Sequence, residues 1–152
     1  MEDIAHRAGF AAATLARNFP KRSDLVEAVY QREVAQLHAL ADEHRNDSDA
    51  WVALMDWLHA FLELSRLTRV MFGSLNRILE RSPDLQLRTR EIEDACGDLF
   101  ERAQAAGMVR SELTRHDVVQ LVGGLVFSLA ADESRTEELF AVVMDGIHAR
   151  TA

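Results

Sequence analysis

The chain of 152 residues carries a net charge of −8, with 48% hydrophobic and 28% charged residues. That length holds one domain, or one domain with a small module attached, and the composition is that of a globular chain with a real core. The acidic balance argues against a general nucleic-acid coat, the single cysteine, Cys96, excludes an internal disulfide or a cysteine-rich zinc site, and no apolar run approaches the roughly 18 residues of a membrane helix.

An acidic opening predicts no export signal, so a cytoplasmic location and no membrane partner are expected. The charge is unevenly spread. Residues 1–30 hold four basic groups (Arg7, Arg17, Lys21, Arg22) and four acidic ones (Glu2, Asp3, Asp24, Glu27), so that segment is neutral and the whole −8 falls on the rest. An anionic partner would meet the first 30 residues.

The elements read as helices throughout, an all-α chain. Glu2–Ala8 predicts a short helix, Gly9 a turn, and Ala12–Asn18 a second short helix that stops before Pro20. Ser23 is placed to cap a long helix running to about Arg45, with the apolar stripe Leu25, Val26, Val29, Tyr30, Val34, Leu37 and Leu40. "NDSD" reads as a loop and cap. The next helix shows Trp51, Leu54, Met55, Leu58, Phe61 and Leu62 on one face, and another is expected to carry Leu67, Val70, Met71, Leu75, Ile78 and Leu79. Ser82-Pro83 starts a helix that ends at Gly107, a left-handed cap. Thr114 with Asp117, and Ser134 with Glu137, form capping boxes for the last two helices, about Thr114–Ala131 and Ser134–Arg150.

The first of these two, "DVVQLVGGLVFSLA", is apolar nearly all round, so it is covered on more than one side. An ordinary buried core helix would satisfy that pattern. The reading favoured here adds a subunit interface: a homodimer through Val119, Val122, Gly123, Val126, Phe140 and Val143, four helices packed as a bundle.

A helix, a glycine turn and a second helix at residues 2–19 have the spacing of a helix-turn-helix, in which the second helix enters a DNA major groove. Ile4, Ala5, Ala8, Leu15 and Phe19 would hold the pair together, with Thr14, Arg17 and Asn18 outward and Lys21 and Arg22 near phosphates. An ordinary αα-hairpin has the same spacing. The wording decides between them. "IAHRAGFAAATLARNFPKRSDLVEAV" resembles the DNA-binding signature of the TetR family of bacterial regulators, through Ile4-Ala5, Ala8-Gly9, Thr14-Leu15, Arg17, Phe19-Pro20, Lys21-Arg22, Leu25 and Ala28-Val29. "RAQAAGMVRSELTRHDVVQLVGGL" is similar to the junction before the two dimerisation helices of many members.

The resemblance implies a helix-turn-helix over residues 1–30 and a helical effector-binding and dimerisation body over 31–152. It implies a homodimeric repressor of transcription, released from operator DNA by a small apolar or amphipathic effector, with no cofactor. The DNA-facing residues would be Ala12, Ala13, Thr14, Ala16, Arg17, Asn18, Lys21 and Arg22. The chain departs from the family pattern at Ala11, Ala13, Ala16 and Asn18, where serine, glycine, tyrosine, and histidine or tyrosine are common. The family's first helix has no counterpart before the motif. Met1 is therefore expected to be an internal methionine, with an amphipathic helix encoded ahead of it in the intact gene.

The body carries no catalytic signature, so no enzymatic activity is expected. An Asp-x-x-His step recurs at Asp3/His6, Asp56/His59 and Asp145/His148, but no second set of core-facing carboxylates completes a bundle metal site. A metal-dependent helical enzyme is thus the distant alternative, after a dimeric regulator remnant that binds a small molecule or protein but no DNA. In "REIEDACGDLFER" the pairs Arg90/Asp94 and Asp98/Arg102 predict a solvated helix face. Trp51, Met55, Leu58, Phe61, Met71, Phe72, Leu75 and Phe100 are first core residues, and are also the candidate walls of an apolar effector site.

Overall fold

The computed structural model describes residues 12–72, 83–128 and 133–149. Among the described residues the regular elements are helices: α1 (Ala12–Asn18), α2 (Arg22–Glu43), a 3₁₀ turn (His44–Asn46), α3 (Ala50–Phe72), α4 (Pro83–Ala105), α5 (Arg115–Ser128) and α6 (Glu133–Ile147). The all-α class expected from the sequence is the class observed. The expected helix at 2–8 and the turn at Gly9 lie outside the described residues. Two compact units divide the chain, Met1–Glu33 and Val34–Ala152.

In the first unit α1 stops where Phe19 N–H donates to the Leu15 carbonyl at 2.8 Å, just before Pro20. Leu15 and Phe19 are its half-buried side chains, while Ala13, Thr14, Ala16, Arg17 and Asn18 are exposed. The start of α2 differs from expectation. The acceptor is Asp24, whose Oδ2 takes the Lys21 N–H at 2.9 Å while its own N–H donates to the Lys21 carbonyl at 3.1 Å. Ser23 falls inside the first turn instead of capping it.

The second unit is built around α3. Asp49 caps it, its Oδ1 accepting the N–H groups of Trp51 and Val52, both at 3.0 Å. The sequence predicted a break between Leu62 and Leu67, and there is none. The helix runs through, with the Ser65 and Thr68 hydroxyls folded back onto the Phe61 and Leu64 carbonyls at 2.9 and 2.8 Å. Leu75, Ile78 and Leu79 lie outside the described residues. Helix α3 packs against α4 and α5, and α5 against α4 and α6. The core holds Leu54, Trp57, Leu58, Leu62, Leu99, Val118, Val122, Met144 and Ile147, all fully buried. Burying side chains of this size stabilises the unit by about 1.5–3 kcal/mol each.

The cap at the end of α4 is the one the glycine predicted. Gly107 sits at φ 72°, Met108 N–H reaches the Ala103 carbonyl and Gly107 N–H the Gln104 carbonyl, each at 2.9 Å. The chain then pairs with the far end of the molecule: Arg110 N–H donates to the Ile147 carbonyl at 3.1 Å and Ala149 N–H to the Met108 carbonyl at 2.8 Å. This pairing ends α6 at Ile147, short of the expected Arg150. Thr114 and Asp117 make their box, with the Thr114 N–H 2.8 Å from Asp117 Oδ2 and the Asp117 N–H 3.2 Å from Thr114 Oγ1. The Thr114 hydroxyl, donating to the same Oδ2 at 2.7 Å, and the Thr114 N–H hold the Asp117 carboxyl below its usual range. The second expected box is not formed. Ser134 lies within α6, and Glu137 is committed elsewhere, its Oε2 to His59 at 3.1 Å and its Oε1 to Arg66 at 3.5 Å.

Candidate functional site

The candidate DNA-facing residues cluster on α1 and the turn after it. At about 100° per residue, the half-buried Leu15 and Phe19 define the inward side of α1. Arg17 then lies almost opposite them, with Ala13 about 40° to one side of it and Thr14 about 60° to the other. Ala16 and Asn18 flank this stripe. All five are exposed, as is Lys21. The Ala12 and Arg22 side chains lie outside the described set.

Asn18, read from the sequence as one of the outward, DNA-facing residues, has its side chain engaged on its own helix. Its Nδ2 donates to the Thr14 carbonyl at 2.9 Å, one turn back on its own helix. A carboxamide folded onto its helix end caps the helix and is not extended for bidentate pairing. Arg17 is left as the long side chain at the centre of the stripe.

In the second unit the aromatic set divides. Leu58, Phe61 and Phe100 are buried, while Trp51 and Met55 are half-buried. Trp51 stands edge-on to the His148 ring with centroids 4.6 Å apart. Phe61 stacks on Trp57 at 5.9 Å and lies 3.6 Å from where a Cβ on Gly123 would stand. Trp57 is a central core residue, and its indole N–H donates to the Leu37 carbonyl at 3.0 Å, tying α3 to α2. The Met71 and Phe72 side chains and Leu75 lie outside the described set.

Of the residues assigned to a subunit interface, Val119, Val122, Val126 and Phe140 are buried in the chain's own core, and Gly123 and Val143 are partly covered. The outward side of the same two helices carries Leu121 at 46% and Val142 at 62% exposure, with open space at Gly124 and Gly146. The two mid-helix glycines therefore differ. Gly123 is explained by the Phe61 ring, and a Cβ at Gly124 would meet nothing within 4 Å among the described residues.

The charges of α4 do not pair along their helix as the four-residue steps suggested. Asp94 meets Arg115 of α5 at 3.3 Å, Glu93 meets His116 at 2.5 Å, and Asp98 meets Arg45 at 3.8 Å. Arg102 reaches across to the turn after α2, donating from Nη1 to the His44 carbonyl at 2.9 Å and from Nη2 to the Asp47 carbonyl. The His44 carbonyl also accepts the Asp47 N–H at 3.2 Å, so the guanidinium is a second donor on an oxygen already used by the turn. Sequence spacing gave no sign of this clamp. Cys96 is buried, which pushes its thiol up to about 12, with Arg115 the largest opposing influence. Of the Asp-x-x-His steps, His59 faces Glu137 and His148 faces Trp51, while Asp3/His6 lies outside the described residues. Among the described residues no three metal-ligating side chains converge, and no helix is long and apolar enough to cross a membrane.

The described residues thus form an all-helical chain with a short exposed helix and turn bearing Arg17 and Lys21, and a helical body that leaves Leu121 and Val142 exposed. The comparisons narrow this. A family model described as "Transcriptional regulator SbtR-like, C-terminal domain", a TetR C-terminal domain, matches residues 49–149. Among solved structures the chain is similar to the TetR transcriptional regulator SCO0520 from Streptomyces coelicolor, at 27% identity and a TM-score of 0.79, over 99% of this chain and 87% of that one. A search of curated proteins finds no match. The chain belongs to the TetR family of transcriptional regulators.

Proposed function

We propose that this regulator is a repressor that binds operator DNA through α1 and the basic turn after it. The observation that carries the reading is the exposed stripe of Thr14 and Arg17 on α1, followed by Lys21. An α-helix fits the major groove, and arginine pairs there with guanine while lysine reaches phosphate. Family membership supports the same role. The test is a titration of the promoter fragment nearest the gene, comparing the natural chain with Arg17→Ala. Binding that weakens at least tenfold in the variant supports the reading. Equal binding by both overturns it, and binding by neither leaves the regulator remnant that no longer binds DNA, a reading favoured by the Asn18 amide being engaged with the Thr14 carbonyl.

A second copy would pack on the outward side of α5 and α6, covering Leu121 and Val142 and meeting the open backbone at Gly124 and Gly146. Gly124→Arg, at a position where a Cβ meets nothing among the described residues, is expected to give a folded monomer by light scattering. An effector is expected among α3 and α4. Of the candidate walls, Trp51 and Met55 are open enough for a ligand to reach, and the buried Leu58, Phe61 and Phe100 would lie behind them. Quenching of Trp51 fluorescence by apolar ligands, absent in Trp51→Phe, checks that placement.

A further inference from the structure

We infer that α1 selects its DNA through thymine methyl groups set beside one guanine. The inference rests on the DNA-binding reading above and names the base chemistry of that same surface. Its ground is what the outward face of α1 offers. Arg17 stands at the centre of the stripe, and its nearest exposed neighbours are Ala13 and Thr14, with Ala16 at the margin. The amide of Asn18 is engaged with the Thr14 carbonyl at 2.9 Å, so the side chain best suited to adenine is held back. What remains beside the guanidinium is a row of methyl groups: two alanine Cβ atoms and the threonine Cγ2.

Short side chains also let a helix sit deep in a groove about 12 Å wide, where the base edges are within reach of a Cβ. In the major groove the thymine C5-methyl is the apolar feature of a base edge, and alanine and threonine methyls are its natural partners. Arginine pairs bidentately with guanine O6 and N7. The arrangement thus specifies a half-site in which the guanine read by Arg17 has thymines on the adjoining steps.

The experiment selects DNA from a random library with the full chain at about 50 mM salt, where phosphate contacts are strong. Every thymine of the selected site is then replaced in turn by uracil, which pairs identically and lacks only the methyl. Selected sites with thymine next to guanine, and a loss of about fourfold in affinity for each contacted methyl removed, support the inference. Arg17→Ala should abolish the preference for guanine and keep the sensitivity to uracil. Selected sites bound equally well with uracil throughout would overturn the inference while leaving DNA binding intact. Retention of no DNA at that salt would overturn the DNA-binding reading, and the inference with it.

Discussion

The two units of the chain keep their polar side chains differently. Among the described residues of Met1–Glu33, Asn18 bonds the Thr14 carbonyl, Asp24 accepts from the Lys21 amide and Gln31 donates to Glu27, each within four residues. In Val34–Ala152 many cross between helices: Trp57 to Leu37, Arg102 to the turn after α2, Arg115 and His116 to α4, Glu137 to α3. The first arrangement leaves an outward face open for a partner. The second ties together elements distant in sequence and makes the body resist change. A recognition surface needs exposed side chains with few internal commitments, and a scaffold needs the opposite.

Substitutions in the body should sharpen this contrast. Trp57→Ala removes a fully buried ring and strands the Leu37 carbonyl contact. It should cost about 3–5 kcal/mol in urea unfolding, whereas Arg17→Ala in the open face should change stability by no more than about 0.5 kcal/mol. Similar losses from the two would erase the distinction. Arg102→Ala should cost less, about 1.5 kcal/mol, because its partners are carbonyls at a half-exposed turn. Arg102→Lys should recover only part of that, since an ammonium does not span both carbonyls as a planar fork does.

Thr114→Ala should lower the unfolding midpoint by less again, and the effect should depend on pH. The folded Asp117 carboxyl titrates below its ordinary 3.8. Its contribution is therefore complete above that value and disappears as the pH falls through the lowered one. The difference between Thr114→Ala and the natural chain should shrink in the same acid range. The smallest expected effect concerns Cys96. A thiol pushed up to about 12 by burial should not react with a disulfide reagent at pH 8 in the folded chain, and should react at once in urea. Prompt reaction without denaturant would show that the body opens more readily than its packing indicates.

Much of the fold was legible in the sequence where the signal is local. Gly107 ends α4 in the left-handed region, Thr114 and Asp117 form their box, and Pro83 opens its helix, since each depends on a few adjacent residues. The failures share a cause. Glu137 has the right spacing from Ser134 for a box, yet its carboxylate is held by His59 and Arg66 of another helix. Asp98 and Arg102 are correctly spaced for a surface pair, worth a few tenths of a kcal/mol, but the guanidinium instead donates to the His44 and Asp47 carbonyls at the turn after α2. The apolar residues up to Leu62 and from Leu67 were read as two helices; the Ser65 and Thr68 hydroxyls at that junction bond one turn back and the helix continues. The exposed stripe of α1 was legible from its wording. The folding back of Asn18 was not, because the competing acceptor, the Thr14 carbonyl, becomes available only once α1 has formed.

The most direct measurement is the affinity of the 152-residue chain for the promoter fragment nearest its gene, read by fluorescence anisotropy over a range of salt, alone and as Arg17→Ala, with the helical circular dichroism of both recorded. Binding that falls steeply with salt, that is at least tenfold weaker in Arg17→Ala, and that leaves the dichroism unchanged is the predicted result. Binding of equal strength in the two proteins, or none in either while both remain helical, would contradict a DNA-reading role for α1.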